Sequence, residues 1–221
     1  MRRSDCLLSY IYPVTIERTG SRYNPFLEVV IEGGSLLLNS RNSNYSYGSL
    51  HQLFKKAFRR LKPVWQNINS ALILGYGAGC VAETILKYNP HCMIDGVEID
   101  SKVIELGRKY FHYDNDERVT LYCADAVNFM ERCTGAYDLI VVDVYNDSAV
   151  PPEVETDVFT GQIKEHLNSN GMVLFNKYII SRESREHFPD LVGRYTAVFG
   201  NCSVLTIMGS GKMIIAKKEI D

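Results

Sequence analysis

The chain has no closely paired cysteines. Six are present, Cys6, Cys80, Cys92, Cys123, Cys133 and Cys202, and none forms a CxxC pair. Their spacing supports neither a disulfide framework nor a zinc site. Most sit inside apolar runs, as small buried side chains do. The five histidines are equally scattered, so no metal site is expected. Nor is there an excess of positive charge: 24 Lys and Arg face 26 Asp and Glu, a net charge of −2. Nucleic acid, which requires a basic face, is not an expected partner. No segment approaches the roughly 18 uninterrupted apolar residues of a membrane helix. The N-terminal "MRRSDCLLSYIYPV" is basic, but its apolar run is too short and too interrupted for a signal peptide. The expectation is a soluble, cytoplasmic protein with reduced thiols and no membrane partner. Internal repeats and low-complexity segments are also missing.

What is present is a packed core. Hydrophobic residues make up 46% of the 221 positions and charged residues 23%, a composition that buries well and does not favour disorder. Residues 1–48 read as an N-terminal β region. In "FLEVVIEGGSLLLNS", two strand-like runs flank Gly33-Gly34, a hairpin signal. A polar, Tyr-bearing loop follows. In "LHQLFKKAFRRLKPVW", apolar Leu50, Leu53, Phe54, Ala57, Phe58 and Leu61 form a helical stripe that Pro63 ends. The four basic residues opposite it read as a solvated face.

Residues 49–221 read as a second unit, that leading helix followed by alternation. Strands are predicted at "ALILG", "CMIDGVEI", "RVTLYC", "YDLIVVDV" and "MVLFNKYI". Helices between them begin near Gly79, Asp100, Asp125 and Glu153, the last ended by "SNG". A further helix over "SRESREHFPDLVGRYTA" breaks near Pro189, and a hairpin closes the chain. Such alternation predicts an α/β fold: a doubly wound, mostly parallel Rossmann-like sheet with a C-terminal antiparallel hairpin.

In that architecture ligands lie beyond the carboxyl ends of the strands. The first strand ends in "GYGAG", with Gly75, Gly77 and Gly79 spaced two apart. Glycines there would let backbone approach a ligand, and free N–H groups at the helix start would favour an anion. A dinucleotide GxGxxG fingerprint needs a small residue where Cys80 stands, which disfavours a nicotinamide oxidoreductase. Three carboxylates follow at successive strand ends. Glu98 stands where an acid takes ribose hydroxyls. Asp125 is placed to accept from an exocyclic amine, and Asp143 stands beside the reactive end of the ligand. Together they indicate a nucleoside pocket.

This constellation resembles the S-adenosylmethionine-dependent methyltransferases and, within them, the polyamine aminopropyltransferases of the spermidine synthase family. The segments that carry it are "LILGYGAG", "GVEID", "VTLYCADAVNFM", "YDLIVVDVYND" and "LNSNGMVLFN". The resemblance implies that Gly75, Tyr76, Gly77 and Gly79 cradle the methionine-derived tail of S-adenosylmethionine or its decarboxylated form. It implies that Glu98 and Ile99 hold the ribose, that Asp125 and Ala126 meet the adenine, and that no metal takes part. Asp143 is then the catalytic residue that orients or deprotonates an incoming amine. Tyr47, Tyr145, Asn146 and Asp147 would border a small-molecule acceptor, with Tyr76, Tyr145 and Tyr47 lining the mouth and facing the sulfonium.

The chain departs from the family at three places. Ala78 replaces an Asp that helps hold the amine of the decarboxylated donor, which tilts the reading toward the intact donor. Asn146 replaces the second acid of the diamine grip, and Tyr47-Gly48-Ser49 lacks the acid of a Tyr-His-Glu motif. The sequence reading therefore puts methyl transfer to an amine-like nucleophile first. Aminopropyl transfer is the alternative, and non-catalytic nucleoside binding the second alternative. Exposed edges in residues 1–48 predict a homodimer through that region.

Overall fold

The protein is described by a computed structural model. It describes residues 3–41, 44–46, 48–112, 116–146, 149–207 and 209–219. Two sheets organise the chain. The first is a four-stranded antiparallel sheet, β1 (Val14–Thr19), β2 (Leu27–Glu32), β3 (Ser35–Ser40) and β4 (Asn44–Ser46), paired in that order. Its hairpin turn is the expected one. Gly33 and Gly34 both have positive φ, 54° and 77°, as a two-residue turn matched to strand twist requires. The N-terminal region is larger than a hairpin, and it begins with a short helix, α1 (Arg3–Leu8). Six residues are too few to display a helical period, so the sequence pattern could not reveal it.

Helix α2 (Gly48–Leu61) leads into the second unit and yields to a tighter 3-10 turn over Lys62–Asn67, where Pro63 lies. Then come β5 (Ser70–Leu74), α3 (Cys80–Tyr88), β6 (Met93–Glu98), α4 (Ser101–Tyr110), β7 (Val119–Cys123), α5 (Ala126–Arg132) and β8 (Tyr137–Val142). Helix α6 (Asp157–Glu165), β9 (Leu167–Tyr178), α7 (Arg182–Phe199), β10 (Cys202–Ile207) and β11 (Gly211–Lys217) complete it. The sheet order is β10-β11-β9-β8-β5-β6-β7. Strands β5 to β9 pair in parallel, while β11 runs antiparallel between β9 and β10. The strand order reverses between β5 and β8, where such sheets open a crevice.

Two local expectations fail for physical reasons. "SNG" does not separate α6 from the following strand, because β9 begins at Leu167 and absorbs it. Pairing jumps from Tyr137↔Leu167 to Leu139↔Met172, and Asn170 takes up the slack at φ 65°. Pro189 does not break α7. It forfeits one backbone bond, while burial of Leu191, Tyr195 and Phe199 and a capping box between Ser181 and Ser184 hold the helix on both sides of it.

The strands are apolar on both faces. One face packs Leu53, Phe54, Phe58 and Trp65 with α3, and the other packs Phe159, Ile163, Tyr195 and Phe199 from α6 and α7. A third cluster joins Leu27, Val29 and Leu38 of the small sheet to Val103 and Leu106 of α4. At the amino end of the large sheet, Asp138 accepts from Asn69 N (2.8 Å), Ser70 N (3.1 Å) and Asn168 Nδ2 (2.8 Å). Each such bond is worth about 1 kcal/mol net, and they leave the opposite edge free for function. No described helix is long and apolar enough to cross a membrane.

Candidate active site

Four predicted carboxyl-end positions come together at the crevice: the glycine turn after β5, Glu98 closing β6, Asp125 and Ala126 after β7, and Asp143 after β8. The turn is built almost entirely from left-handed backbone. Gly75, Gly77 and Gly79 have φ of 85°, 57° and 92°. What demands glycine at 75 is protein, because a Cβ there would lie 2.2 Å from the Asp143 carbonyl oxygen. Gly77 lies beneath β4, whose Ser46 Oγ and Tyr45 carbonyl oxygen would each stand 3.5 Å from an added Cβ. The sequence reading assigned this closeness to a ligand, and at Gly75 it belongs to the neighbouring strand.

The turn's N–H groups are also taken. Gly75 N and Tyr76 N both donate to Val97 O at 2.9 Å, and Gly79 N donates to Tyr76 O at 3.1 Å. Gly77 N donates to Glu98 Oε2 at 2.9 Å, and Ala78 N to Ser46 Oγ at 3.3 Å. From 75 to 79 no donor awaits an anion; the sequence expectation concerned the start of α3, which begins one residue later at Cys80. A pyrophosphate, which needs open N–H groups, finds no cradle in this turn.

Two other assignments shift. The Tyr76 ring does not line the mouth of the site: it is 3% exposed and packs over Gly96, where a Cβ would approach its ring to 2.3 Å. Only its backbone belongs to the turn. Ala78 is 2% exposed within the cluster of Leu27, Val29, Val103 and Leu106. Packing therefore accounts for a small apolar residue at 78, and its identity no longer reports on the donor.

Glu98 is 3% exposed. It accepts from Asp100 N at 3.0 Å, from Gly77 N and, at 3.4 Å, from the Tyr45 hydroxyl. Burial pushes its carboxyl up, while the two backbone N–H groups pull the other way. Burial, then the charges of Glu98 and Asp100, likewise push the Tyr45 phenol well above its usual range. Asp100, 1% exposed, caps α4 through Lys102 N (2.9 Å) and holds the β1–β2 loop by accepting from Ser21 Oγ and Asn24 Nδ2. The small sheet is thus fastened to the strand-end carboxylates. Sequence alone missed Tyr45, Ser46, Ser21 and Asn24. A tyrosine-bearing polar loop was the one signal among them.

Asp143 is the centre of the arrangement. Burial pushes its carboxyl up to about 7, a hydrogen bond from Asn176 Nδ2 (2.8 Å) opposes this, and the charge of Glu98 adds to it. Asn176 is itself 1% exposed, and it was not singled out from the sequence. Its clue was a polar residue ending the apolar run "MVLF". The Tyr145 hydroxyl donates to Asn176 O (3.2 Å) and accepts from Tyr178 N (3.1 Å), so it staples the loop to β9. Asn146 is exposed, and its backbone pairs with Ala149. Asp125 caps α5 through Asn128 N at 3.0 Å, with Ala126 buried beside it and Ile99 half-buried after β6. Tyr47 and Asp147 lie outside the described residues.

Among the described residues, no ion pair involves Glu98, Asp100 or Asp143. No group of His, Cys, Asp and Glu among them could hold a metal ion. A separate cleft of about 630 Å³ runs between β3, α2 and α4, but its Glu83 is already paired with Lys87. Glu98, Asp100 and Asp143 are thus desolvated carboxyl groups that, among the described residues, form no ion pair with a cationic side chain.

A family model for the spermine/spermidine synthase domain matches residues 49–208. A probable polyamine aminopropyl transferase from Bifidobacterium longum is 37% identical over 140 residues, 63% of this chain and 31% of that protein. The chain therefore spans about a third of that relative's length. Among solved structures, spermidine synthase from Thermotoga maritima superposes with a TM-score of 0.68 at 18% identity, covering 94% of this chain and 74% of that one. Human methyltransferase-like protein 13, crystallised with SAH, superposes at 0.65 with 21% identity, covering 77% and 82%. These shape matches show the fold. With the family match covering most of the chain, this protein belongs to the spermine/spermidine synthase domain family.

Proposed function

We propose that the chain is an aminopropyltransferase, moving an aminopropyl group from decarboxylated S-adenosylmethionine to an amine. The reading rests on one feature of the site: among the described residues its carboxylates Glu98, Asp100 and Asp143 form no ion pair, while the N–H groups from Gly75 to Gly79 are all engaged. The decarboxylated donor is cationic at sulfur and at its amine and has no carboxylate. It suits that pattern. The intact donor adds a carboxylate that residues 75–79 cannot receive without giving up existing bonds. The name of the Bifidobacterium relative points the same way, and methyl transfer loses the Ala78 argument that favoured it.

In this reading Glu98 takes a ribose hydroxyl, and Asp125 and Ala126 border the adenine. Displacement at a carbon next to sulfonium needs alignment and the exclusion of water, both of which a buried site supplies. Asp143, held near neutrality, accepts a proton from the incoming ammonium. Calorimetric titration with the two donors tests this. The decarboxylated donor is expected to bind at least tenfold more tightly. A clear preference for the intact donor would instead establish methyl transfer, and binding of neither by folded protein would leave only the fold.

Assembly belongs to the same proposal. Strand β1 is an edge, and Leu7, Tyr10 and Ile11, which precede it in the chain, are 72%, 70% and 81% exposed. A second copy covering residues 1–48 would remove both liabilities. Sedimentation is expected to give a dimer that Ile11→Glu weakens. A stable wild-type monomer at micromolar concentration would end the idea.

A further inference from the structure

Residues Val142 and Phe175 are partners in the β8–β9 register, so the next positions, Asp143 and Asn176, meet just beyond the last paired rung. Asn176 Nδ2 donates to Asp143 Oδ1 at 2.8 Å. The amide's other end is the unusual feature. Asn176 Oδ1 is buried and, among the described residues, has no hydrogen-bond partner. A buried acceptor left unpaired costs about 1–3 kcal/mol, so such atoms call for an explanation. Turning the amide over would not help, because it would set oxygen against the carboxylate. Backbone neighbours do not fill the gap either, since Tyr145 bonds the main-chain carbonyl of Asn176.

We infer that Asn176 is the positioning residue for Asp143, holding Oδ1 so that Oδ2 is left to the nucleophile, and that its unpaired carbonyl oxygen is a second acceptor for that nucleophile's N–H. The inference rests on the transferase reading and narrows the acceptor to an amine. A primary ammonium gives one proton to Asp143 and becomes a neutral amine with two N–H groups and one lone pair. Accepting the N–H groups at Asp143 and Asn176 directs the lone pair. That pair forms the new C–N bond, and the electrons of the broken C–S bond leave on sulfur, which becomes a neutral thioether. The product nitrogen is a secondary ammonium and stays protonated, and Asp143 releases to solvent the proton it took, which restores the carboxylate. A hydroxyl nucleophile has only one hydrogen and would leave one of the two acceptors unfilled.

Besides Asn176, the charge of Glu98 at the end of β6 acts on Asp143, and Asp143's own charge acts on Tyr145 in the loop after β8 and on Tyr178 of β9, the latter also facing Cys80 of α3. All of them stay in place when only position 176 changes. Nuclear magnetic resonance with isotope-labelled Asp and Asn side-chain carbons reads the arrangement without turnover. In Asn176→Leu, which keeps the branched shape but not the donor, the Asp143 midpoint is expected to rise by about one to two pH units. Asn176→Gln, which keeps an amide, should bring it back toward wild type. If the leucine variant does not fold, Asn176→Ser carries the same expectation, its hydroxyl being too short to reach Oδ1. An unmoved midpoint overturns the positioning role. Adding butylamine should move the Asn176 side-chain carbon signal together with that of Asp143, and movement of Asp143 alone overturns the second-acceptor role. A raised midpoint in a protein that never turns over would refute the transferase reading while leaving the positioning intact.

Discussion

Asp143→Asn is expected to abolish transfer while leaving donor binding within a few-fold of wild type. Loss of a positioned base lowers rates on the order of 10² to 10⁴-fold. The substitution is nearly isosteric, and its side-chain oxygen can still accept from Asn176 Nδ2. The same variant should be more stable than wild type in alkaline solution. The carboxyl's ordinary value is 3.8 and burial raises it to about 7, so the folded state holds the proton more tightly than the unfolded chain. Stability from this group is therefore complete below about pH 4 and lost progressively up to about pH 7. Above that, wild type carries a buried charge that the amide does not. Calorimetry at pH 5 and pH 8 should find the variant's advantage much larger at pH 8, where a gain on the order of 1 kcal/mol moves the melting temperature by a few degrees. Equal stability at pH 8, or undiminished turnover, would refute the assignment. A site that is costly to keep ionised and useful only when ionised is what a base working near neutral pH requires.

How far the sequence foretold this site depends on what each residue needs in order to be seen. Glu98 and Asp143 were legible because each ends an apolar run, and a carboxylate there must face the crevice. Asn176 satisfies the same local rule, but its meaning lies in the β8–β9 register, set between strands about thirty residues apart. Tyr76 was misjudged because its environment is made by Gly96 on the next strand, whose missing side chain the ring fills. The α/β alternation was readable from periodicity, whereas β1 was not: "VTIERT" mixes half-buried and exposed positions without strict alternation and has no fully buried residue. Strand β4 has three residues, below the length at which alternation means anything. Yet β4 roofs the glycine turn through Ser46 and reaches Glu98 through Tyr45. The elements hardest to read therefore finish the site that the clearest ones begin.

The glycine turn supplies the second large effect, because its glycines answer to different constraints. At Gly75 a methyl group meets the Asp143 carbonyl oxygen at 2.2 Å and its carbon at 2.6 Å, in backbone already at φ 85°. Neither backbone can yield without separating the end of β5 from the end of β8, whose ladder continues through Asp143 N to Leu74 O at 2.8 Å. Gly75→Ala should therefore cost on the order of 3–5 kcal/mol and eliminate donor binding in whatever fraction folds. Gly77→Ala is the informative contrast. Its φ of 57° lies in the left-handed region, and an added Cβ would meet Ser46 and Tyr45 only at 3.5 Å, an ordinary contact. The conformational cost alone is about 1–2 kcal/mol, so the fold should survive. Urea unfolding of both variants, followed by donor titration, separates the two origins of a glycine. A ranking with Gly77→Ala the more damaging would mean that β4 is packed more tightly on the turn than β8 is. The expected ranking means that the first glycine is required to bring the base strand to the donor strand, before any ligand arrives.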